Sequence, residues 1–116
     1  MEIIGLGTDL IEVERIKAFA EKPAALARIF SEEEIAYCLA RKNRYQHLAV
    51  RFAAKEAVYK ALPFGGVTLK SISVVNLESG RPKVYVNDRR FDGLCVLISL
   101  SHTEYYAMAS AVVYRD

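Results

Sequence analysis

The 116-residue sequence lacks long apolar runs, paired cysteine motifs and a strong excess of charge of either sign. No apolar run is long enough to cross a bilayer, and the first residues lack the basic segment of a signal peptide. The two cysteines, Cys38 and Cys95, are far apart and form no CxxC pair, so we expect free thiols in a reducing compartment. These absences predict a cytoplasmic protein without a membrane partner.

The net charge of +2 is too small to indicate nucleic-acid binding by itself. Its distribution is more informative, because residues 15–60 hold ten Lys or Arg against five Asp or Glu. A basic, largely helical middle is typical of a protein that binds an anionic ligand or an acidic partner protein.

The composition, 53% hydrophobic and 26% charged, predicts a single globular domain over residues 1–116. The order of the patterns is a strand at residues 2–8, helices up to about residue 62, and then a run of strands. The late strands are predicted at residues 72–77, 83–86, 94–100 and 106–114. This order predicts an α+β fold, with an antiparallel sheet packed against a long central helix and shorter helices.

The first strand contains Gly5 and Gly7, which predict that another segment approaches its backbone closely. Asp9-x-x-Glu12 resembles a capping box and predicts a helix from about residue 10 to Phe19. Capping is therefore one interpretation of Asp9. The alternative is a metal site, which requires Asp9 to meet Glu56 across the fold, because two carboxylates repel unless a cation or proton lies between them.

Residues 24–30 are predicted to form a short turn, and Ser31-Glu-Glu-Glu34 is a second capping-box pattern that opens a helix through Leu39. The acids of that pattern suit the helix dipole, and we assign them no chemistry.

The longest helical pattern runs from about Arg44 to Leu62, and Glu56 is its only acid. On this helix Glu56 and Lys60 are one turn apart on the same face. Two interpretations stay open: an ordinary surface ion pair, or a phosphate site in which a carboxylate holds Mg²⁺ and cations hold phosphate oxygens.

Three segments together resemble the holo-acyl-carrier-protein synthase group of 4′-phosphopantetheinyl transferases. They are Gly5-Leu-Gly-Thr-Asp9 with Arg15 six residues on, Arg51-Phe-Ala-Ala-Lys-Glu-Ala-Val-Tyr-Lys60, and Ser99-Leu-Ser-His102. The resemblance covers almost the whole chain. It implies transfer of the 4′-phosphopantetheine arm of coenzyme A to a serine of apo acyl carrier protein, as in fatty acid biosynthesis, with release of 3′,5′-ADP.

The resemblance also implies roles for single residues. Asp9 and Glu56 would hold Mg²⁺, and Glu56 and Lys60 would be catalytic. Coenzyme A would be bound by a larger set: Arg51, Lys55, Lys60, Gly65, Gly80, Pro82 and His102. The proton of the attacking serine would go to Glu56 or to a metal-bound water, and the sequence leaves both open.

Some residues depart from the family pattern or allow a second interpretation. Pro63 makes the loop at Phe64-Gly65-Gly66 shorter and stiffer than the usual Phe-Gly-x-Gly, and Arg81 replaces the lysine of the Gly-Lys-Pro turn. His102 falls in a turn predicted at residues 101–104, where histidines are commonly exposed or hydrogen-bonded locally.

The acceptor protein of this family is acidic, and its docking surface is expected at Arg15, Ile16, Arg28 and Phe30. Family members are typically homotrimers with each active site at a subunit boundary. The competing hypothesis is a small RNA-binding domain without catalysis, supported by the basic helix and by Tyr45, Tyr59 and Tyr85, since aromatic side chains among cations can stack bases.

Overall fold

The strands form two antiparallel sheets in a computed structural model that describes residues 1–116. One sheet has the order β1-β5-β4, and the other pairs β2 with β3. The strands are β1 Glu2–Glu12, β2 Ile72–Asn76, β3 Pro82–Val86, β4 Cys95–His102 and β5 Tyr106–Arg115. The helices are α1 Val13–Ala20, α2 Pro23–Ile29, α3 Glu32–Leu39 and α4 Arg44–Ala61, with 3-10 turns at Leu69–Ser71 and Arg89–Phe91. The predicted α+β class is confirmed.

Helix α4 lies across the inner face of the three-stranded sheet, and its bounds match the prediction to within one residue. Small side chains line both sides of this contact, so the helix and the sheet approach closely. The fully buried alanines include Ala53 and Ala57 on the helix and Ala107 and Ala111 on β5. The core thus forms around α4, which carries more of the predicted site residues than any other element: Arg51, Lys55, Glu56 and Lys60.

Strand β1 is longer than predicted, because it continues through Asp9 to Glu12. The capping-box interpretation of Asp9 is wrong: α1 begins at Val13, its N-cap is Glu12, and no side chain caps it. The physical reason is the pairing of β1 with β5 over the whole segment, from Glu2 opposite Arg115 to Glu12 opposite Tyr106. That non-local ladder satisfies the backbone better than one local cap.

Two further local predictions need correction. Residues 24–30 were predicted as a turn, but Pro23 opens the seven-residue helix α2, where its fixed φ and missing N–H suit the first position. His102 is the last residue of β4, opposite Ala107, and not part of a turn. The second capping box is confirmed, since the Ser31 backbone N–H donates to Glu34 Oε1 at 2.9 Å and the Glu34 N–H donates to Ser31 Oγ at 3.2 Å.

None of the helices combines the length and the apolar character needed to span a membrane.

Candidate active site

The glycines of β1 bring this strand against the backbone of α4. A Cβ on Gly7 would lie 1.8 Å from the carbonyl oxygen of Ala57, and one on Gly5 would lie 2.0 Å from that of Ala61. Any side chain here would force the strand and the helix apart, which confirms the predicted close approach. Because strand residues alternate between faces, Asp9 lies on the same face of β1 as the two glycines and points toward α4.

Asp9 contacts Lys60 on α4 and lies near enough to Glu56, one helical turn earlier, for its charge to act on it. The Lys60 Nζ donates to Asp9 Oδ1 at 3.2 Å and to the Thr8 carbonyl oxygen at 3.0 Å. Burial raises the pKa of Glu56, the negative charge of Asp9 raises it further, and Lys60 opposes both. The two carboxylates are therefore close enough to repel each other, as a cation-binding pair would be. The Lys60 side chain is 51% exposed and has one ammonium hydrogen without a protein acceptor, so it can still reach a ligand.

A second group of predicted residues lines a cleft of about 420 Å³ between α4, the β2–β3 turn and the end of β4. The predicted members in its lining are Arg51, Gly80, Pro82 and His102. Unpredicted members include Tyr37, His47, Asn76, Arg81 and Ser99. Gly80 has φ +85°, in the left-handed region that favours glycine, and Pro82 starts β3.

Arg51 is buried and forms the floor of this cleft. Its guanidinium donates from Nη2 to Asn76 Oδ1 at 2.5 Å and from Nη1 to the His47 carbonyl oxygen at 3.3 Å, and it stacks 4.4 Å from the centre of the Tyr37 ring. Its Nε has no protein partner. Burial and then the charge of Arg51 lower the pKa of His47, which favours the neutral imidazole. A cleft with arginine charge and aromatic faces suits a ligand that carries phosphate and a planar ring.

Lys55 does not belong to either group. It is fully buried, and its ammonium donates to Glu34 Oε1 at 2.7 Å and to the carbonyl oxygens of Leu69 and Ile72. All three ammonium hydrogens are used inside the protein, which contradicts the expectation that Lys55 binds coenzyme A. Its partner Glu34, to which we assigned no chemistry, was missed. The available signal was position: Lys55 lies seven residues after Leu48 and three before Val58, within the buried stripe of α4.

Of the residues expected to dock a carrier protein, only the arginines are exposed. Arg15 on α1 and Arg28 on α2 face solvent. Ile16 and Phe30 are buried in the core, at 3% and 0% exposure, and cannot present their side chains to a partner in this conformation. Burial of both follows from the packing of α1 and α2 against the rest of the protein, which the sequence pattern alone did not resolve.

Gly65 lies in the exposed loop after α4, outside the 420 Å³ cleft. The only neighbour that an added Cβ would meet is the Tyr59 hydroxyl at 3.7 Å. This loop follows the end of the helix that carries Lys60. No group of three or more His, Cys, Asp or Glu side chains forms a complete metal site within the protein, so a cation at Asp9 and Glu56 would need further ligands from substrate or water.

Comparison with known proteins places the chain in a family. A model of the 4′-phosphopantetheinyl transferase superfamily matches residues 5–111. The chain is 43% identical to a holo-[acyl-carrier-protein] synthase of Protochlamydia amoebophila, over 94% of this chain and 96% of that protein. It is 44% identical to one of Thermodesulfovibrio yellowstonii, over 96% and 98%.

Among solved structures, the fold is similar to a holo-(acyl-carrier-protein) synthase from Bacillus anthracis in complex with CoA (3′,5′-ADP). The TM-score is 0.87 at 31% identity, and the match covers 100% of both chains. The match over nearly the full length, in sequence and in fold, establishes that this chain belongs to the 4′-phosphopantetheinyl transferase superfamily.

Proposed function

We propose that this protein transfers the 4′-phosphopantetheine group of coenzyme A to a serine hydroxyl of an apo acyl carrier protein and releases 3′,5′-ADP. The observation that carries the proposal is the meeting of Asp9 and Glu56 beside the half-exposed ammonium of Lys60. The names of the relatives and the coenzyme A complex of the Bacillus anthracis protein support the same reaction.

Mg²⁺ is part of the proposal, and the residues present fit it. Asp9 and Glu56 supply carboxylate oxygens, the ligands that Mg²⁺ prefers. Burial and then the negative charge of Asp9 raise the pKa of Glu56, and a bound cation would offset both effects. Such an ion usually takes few ligands from the protein and several from water and substrate phosphates. When bound, it would polarise the diphosphate of coenzyme A and offset its charge.

Residues of the chain itself carry out the other steps of binding and transfer. Lys60 lies against Asp9 and neutralises charge on the departing 3′,5′-ADP. Arg51 and His102 in the cleft bind the nucleotide end of coenzyme A. The oxygen of the Glu56 carboxylate that does not hold the cation takes the proton of the attacking serine. Arg15 and Arg28 offer positive charge to an acidic carrier protein.

We also propose a homotrimer, because within one chain the predicted site residues form two separate groups. Asp9, Glu56 and Lys60 do not line the cleft that contains Arg51 and His102. The outer face of the three-stranded sheet exposes four large apolar side chains, those of Leu6, Leu10, Leu97 and Met108. The register places Leu6 and Leu97 on either side of Val112, so these three side chains form an apolar patch, and the row of Thr8, Ser110 and Ser99 separates it from Leu10 and Met108. Burial of this patch between copies would complete the site at their boundary.

The trimer can be tested by light scattering on purified protein. Leu97→Asp should yield monomers and strongly reduce transfer, because it places a charge in the buried patch. The matched control is Leu77→Asp, which changes another exposed leucine in the β2–β3 turn and should leave the trimer intact. A monomeric wild-type protein with full activity would reject this part of the proposal.

A cytoplasmic location is proposed from the two free cysteines, which suit a reducing compartment. The RNA-binding hypothesis gains no support from the comparisons. Tyr45 and Tyr59 are partly buried against the core and so do not form an exposed stacking surface.

The test of function is the mass of an apo acyl carrier protein after incubation with this protein, coenzyme A and Mg²⁺. We expect a gain of one phosphopantetheine arm that disappears when EDTA is present. Glu56→Gln should fold and lose about a hundredfold or more of kcat/KM, since even outer-shell partners of a metal typically contribute 10–100-fold. The matched control is Glu32→Gln, an exposed glutamate of α3. Full activity of Glu56→Gln would reject the metal assignment, and no mass gain on several verified acceptors would reject the reaction.

A further inference from the structure

The β2–β3 hairpin carries one wall of the cleft but has little support of its own. It forms a separate two-stranded sheet, and isolated two-stranded hairpins are only marginally stable in water. Its turn supplies Gly80, Arg81 and Pro82 to the cleft lining. The position of that wall therefore depends on the burial of Ile72, Val74 and Val84 in the core and on the hydrogen bonds that join the hairpin to the helices.

Side chains from α3 and α4 hold β2 at three alternate residues. Lys55 donates to the Ile72 carbonyl oxygen. The Val74 N–H donates to Glu34 Oε2 at 3.0 Å, and Arg51 donates to Asn76 Oδ1. The contacts at Ile72 and Val74 are to backbone groups on the edge of β2 that is not paired with β3, so the Glu34–Lys55 pair satisfies groups that a third strand would otherwise bind.

The buried Glu34–Lys55 pair is held by several hydrogen bonds. Glu34 Oε1 accepts from Lys55 at 2.7 Å and from the Ser31 N–H at 2.9 Å, and Lys55 also donates to the Leu69 carbonyl oxygen at 3.1 Å. Glu34 and Lys55 are 1% and 0% exposed at their side chains, so neither can touch a substrate in the cleft. An effect of this pair on the substrate is therefore indirect, and the hairpin that the pair holds carries one wall of the cleft.

The last contact continues into the turn. The Asn76 side chain that accepts from Arg51 donates from Nδ2 to the Gly80 carbonyl oxygen at 3.2 Å. Asn76 is also opposite Pro82 in the β2–β3 ladder. The cleft wall is thus connected to Arg51 at one end of β2 and to the Glu34–Lys55 pair along the rest of it.

We propose that Glu34 and Lys55 are positioning residues that set the affinity for coenzyme A by clamping the β2–β3 hairpin to α4. The inference rests on the proposed function, which identifies the cleft as the site of the nucleotide end of coenzyme A. Loosening the clamp lets the Gly80–Pro82 wall move away from Arg51. Asp9, Glu56 and Lys60, which meet through the packing of β1 on α4, keep their arrangement.

The test separates substrate affinity from turnover. The variant Glu34→Leu/Lys55→Met removes both charges together and leaves apolar side chains, a replacement of buried ion pairs that proteins often tolerate. We expect the KM for coenzyme A to rise about tenfold with kcat nearly unchanged, because binding contacts in the cleft weaken while Asp9, Glu56 and Lys60 keep their arrangement. The Kd for 3′,5′-ADP, measured by calorimetry, should rise in parallel. Hydrogen exchange should accelerate in β2 and β3 more than in α4.

The control is Val113→Ala, which removes core volume from β5, a strand of the other sheet. It should lower the melting temperature and leave the KM unchanged. A folded double variant with wild-type KM and wild-type affinity for 3′,5′-ADP would overturn the proposal. If that variant does not fold, Glu34→Gln replaces it, with a smaller loss of affinity expected. Failure of both to fold would assign the pair to folding alone and would also overturn the proposal. Failure of the proposed function is distinguishable, because then the wild-type protein itself transfers nothing.

Discussion

Helix α4 carries two lysines, Lys55 and Lys60, that the sequence pattern treats alike and the structure treats in opposite ways. Each lies near a carboxylate from another element, Glu34 for Lys55 and Asp9 for Lys60. The Lys55 pair is buried, and every ammonium hydrogen has an acceptor. The Lys60 pair is open to solvent, its N–O distance is 3.2 Å, and a second carboxylate, Glu56, lies beside it.

The difference between the two ion pairs shows which of them can bind a ligand. A buried charge has to be fully satisfied, because each missing partner costs free energy in a low-dielectric interior. An exposed pair contributes little to stability, and its members can exchange partners when a ligand arrives. Lys55 is therefore structural, because each of its ammonium hydrogens has an acceptor inside the protein. Lys60 has one ammonium hydrogen without an acceptor and lies beside the two carboxylates of Asp9 and Glu56, so these three residues form a binding site.

The largest expected effect is on stability, when each lysine is removed in turn. Lys55→Ala leaves Glu34 charged and buried without its ammonium partner, and we expect a loss of about 3–5 kcal/mol in the free energy of unfolding. Lys60→Ala should cost only about 0–1 kcal/mol, while transfer activity falls strongly. Urea denaturation of both variants measures the contrast. Equal losses of stability would show that the two pairs do not differ as described.

The second effect concerns how the exposed cluster is held in place. Asp9 reaches Lys60 and Glu56 because Gly5 and Gly7 let β1 touch the backbone of α4. Gly7→Ala should therefore lower the free energy of unfolding by about 1–3 kcal/mol or more, since its Cβ would overlap the Ala57 carbonyl. It should also lower transfer activity, because Asp9 moves away from Glu56.

The control for this prediction is Gly65→Ala, where an added Cβ finds only ordinary contact distance, and where we expect a change within about 0.5 kcal/mol. Thermal unfolding of the two variants gives the comparison. If Gly7→Ala were as stable and as active as wild type, then close packing of β1 would not be what positions Asp9.

The contrast between the lysines also explains how far the sequence could be interpreted. The bounds of α4 and the Ser31–Glu34 capping box were predictable, because they depend on local propensity and local hydrogen bonds. The full length of β1 was not, because its pairing with β5 spans about a hundred residues of chain and overrides the local cap pattern at Asp9.

The same limit applies to the site. The family resemblance and the glycines of β1 led to Asp9, Glu56 and Lys60, which the structure brings together. Burial of Lys55, Ile16 and Phe30 depends on how the short helices pack on α4, which no local pattern encodes. Glu34 was missed because its capping role is a sufficient local explanation for a glutamate at that position, and its second role appears only when Lys55 and β2 lie against it.

The smallest expected effect tests the uncompensated charge at the exposed cluster. The folded-state pKa of Glu56 is raised, so the stability associated with its protonated form is present at low pH and is lost as pH rises through that value. Without divalent cations at pH 7, Glu56→Gln should therefore be slightly more stable than wild type. The variant that strongly reduces transfer would thus stabilise the fold.

Thermal unfolding from pH 4 to pH 8 measures this prediction, with Glu32→Gln as the exposed control that should show no gain. The difference between Glu56→Gln and wild type should grow with pH, because only the wild-type glutamate acquires a charge beside Asp9. Added Mg²⁺ should raise the melting temperature of wild type and close the gap, since an ion that binds only the folded state stabilises it by mass action. The opposite outcome is a wild-type protein that is more stable than Glu56→Gln at pH 7 without divalent cations. It would mean that Lys60 already compensates the charges of both Asp9 and Glu56. These three residues would then resemble the Glu34–Lys55 pair, in which every charge has its partner.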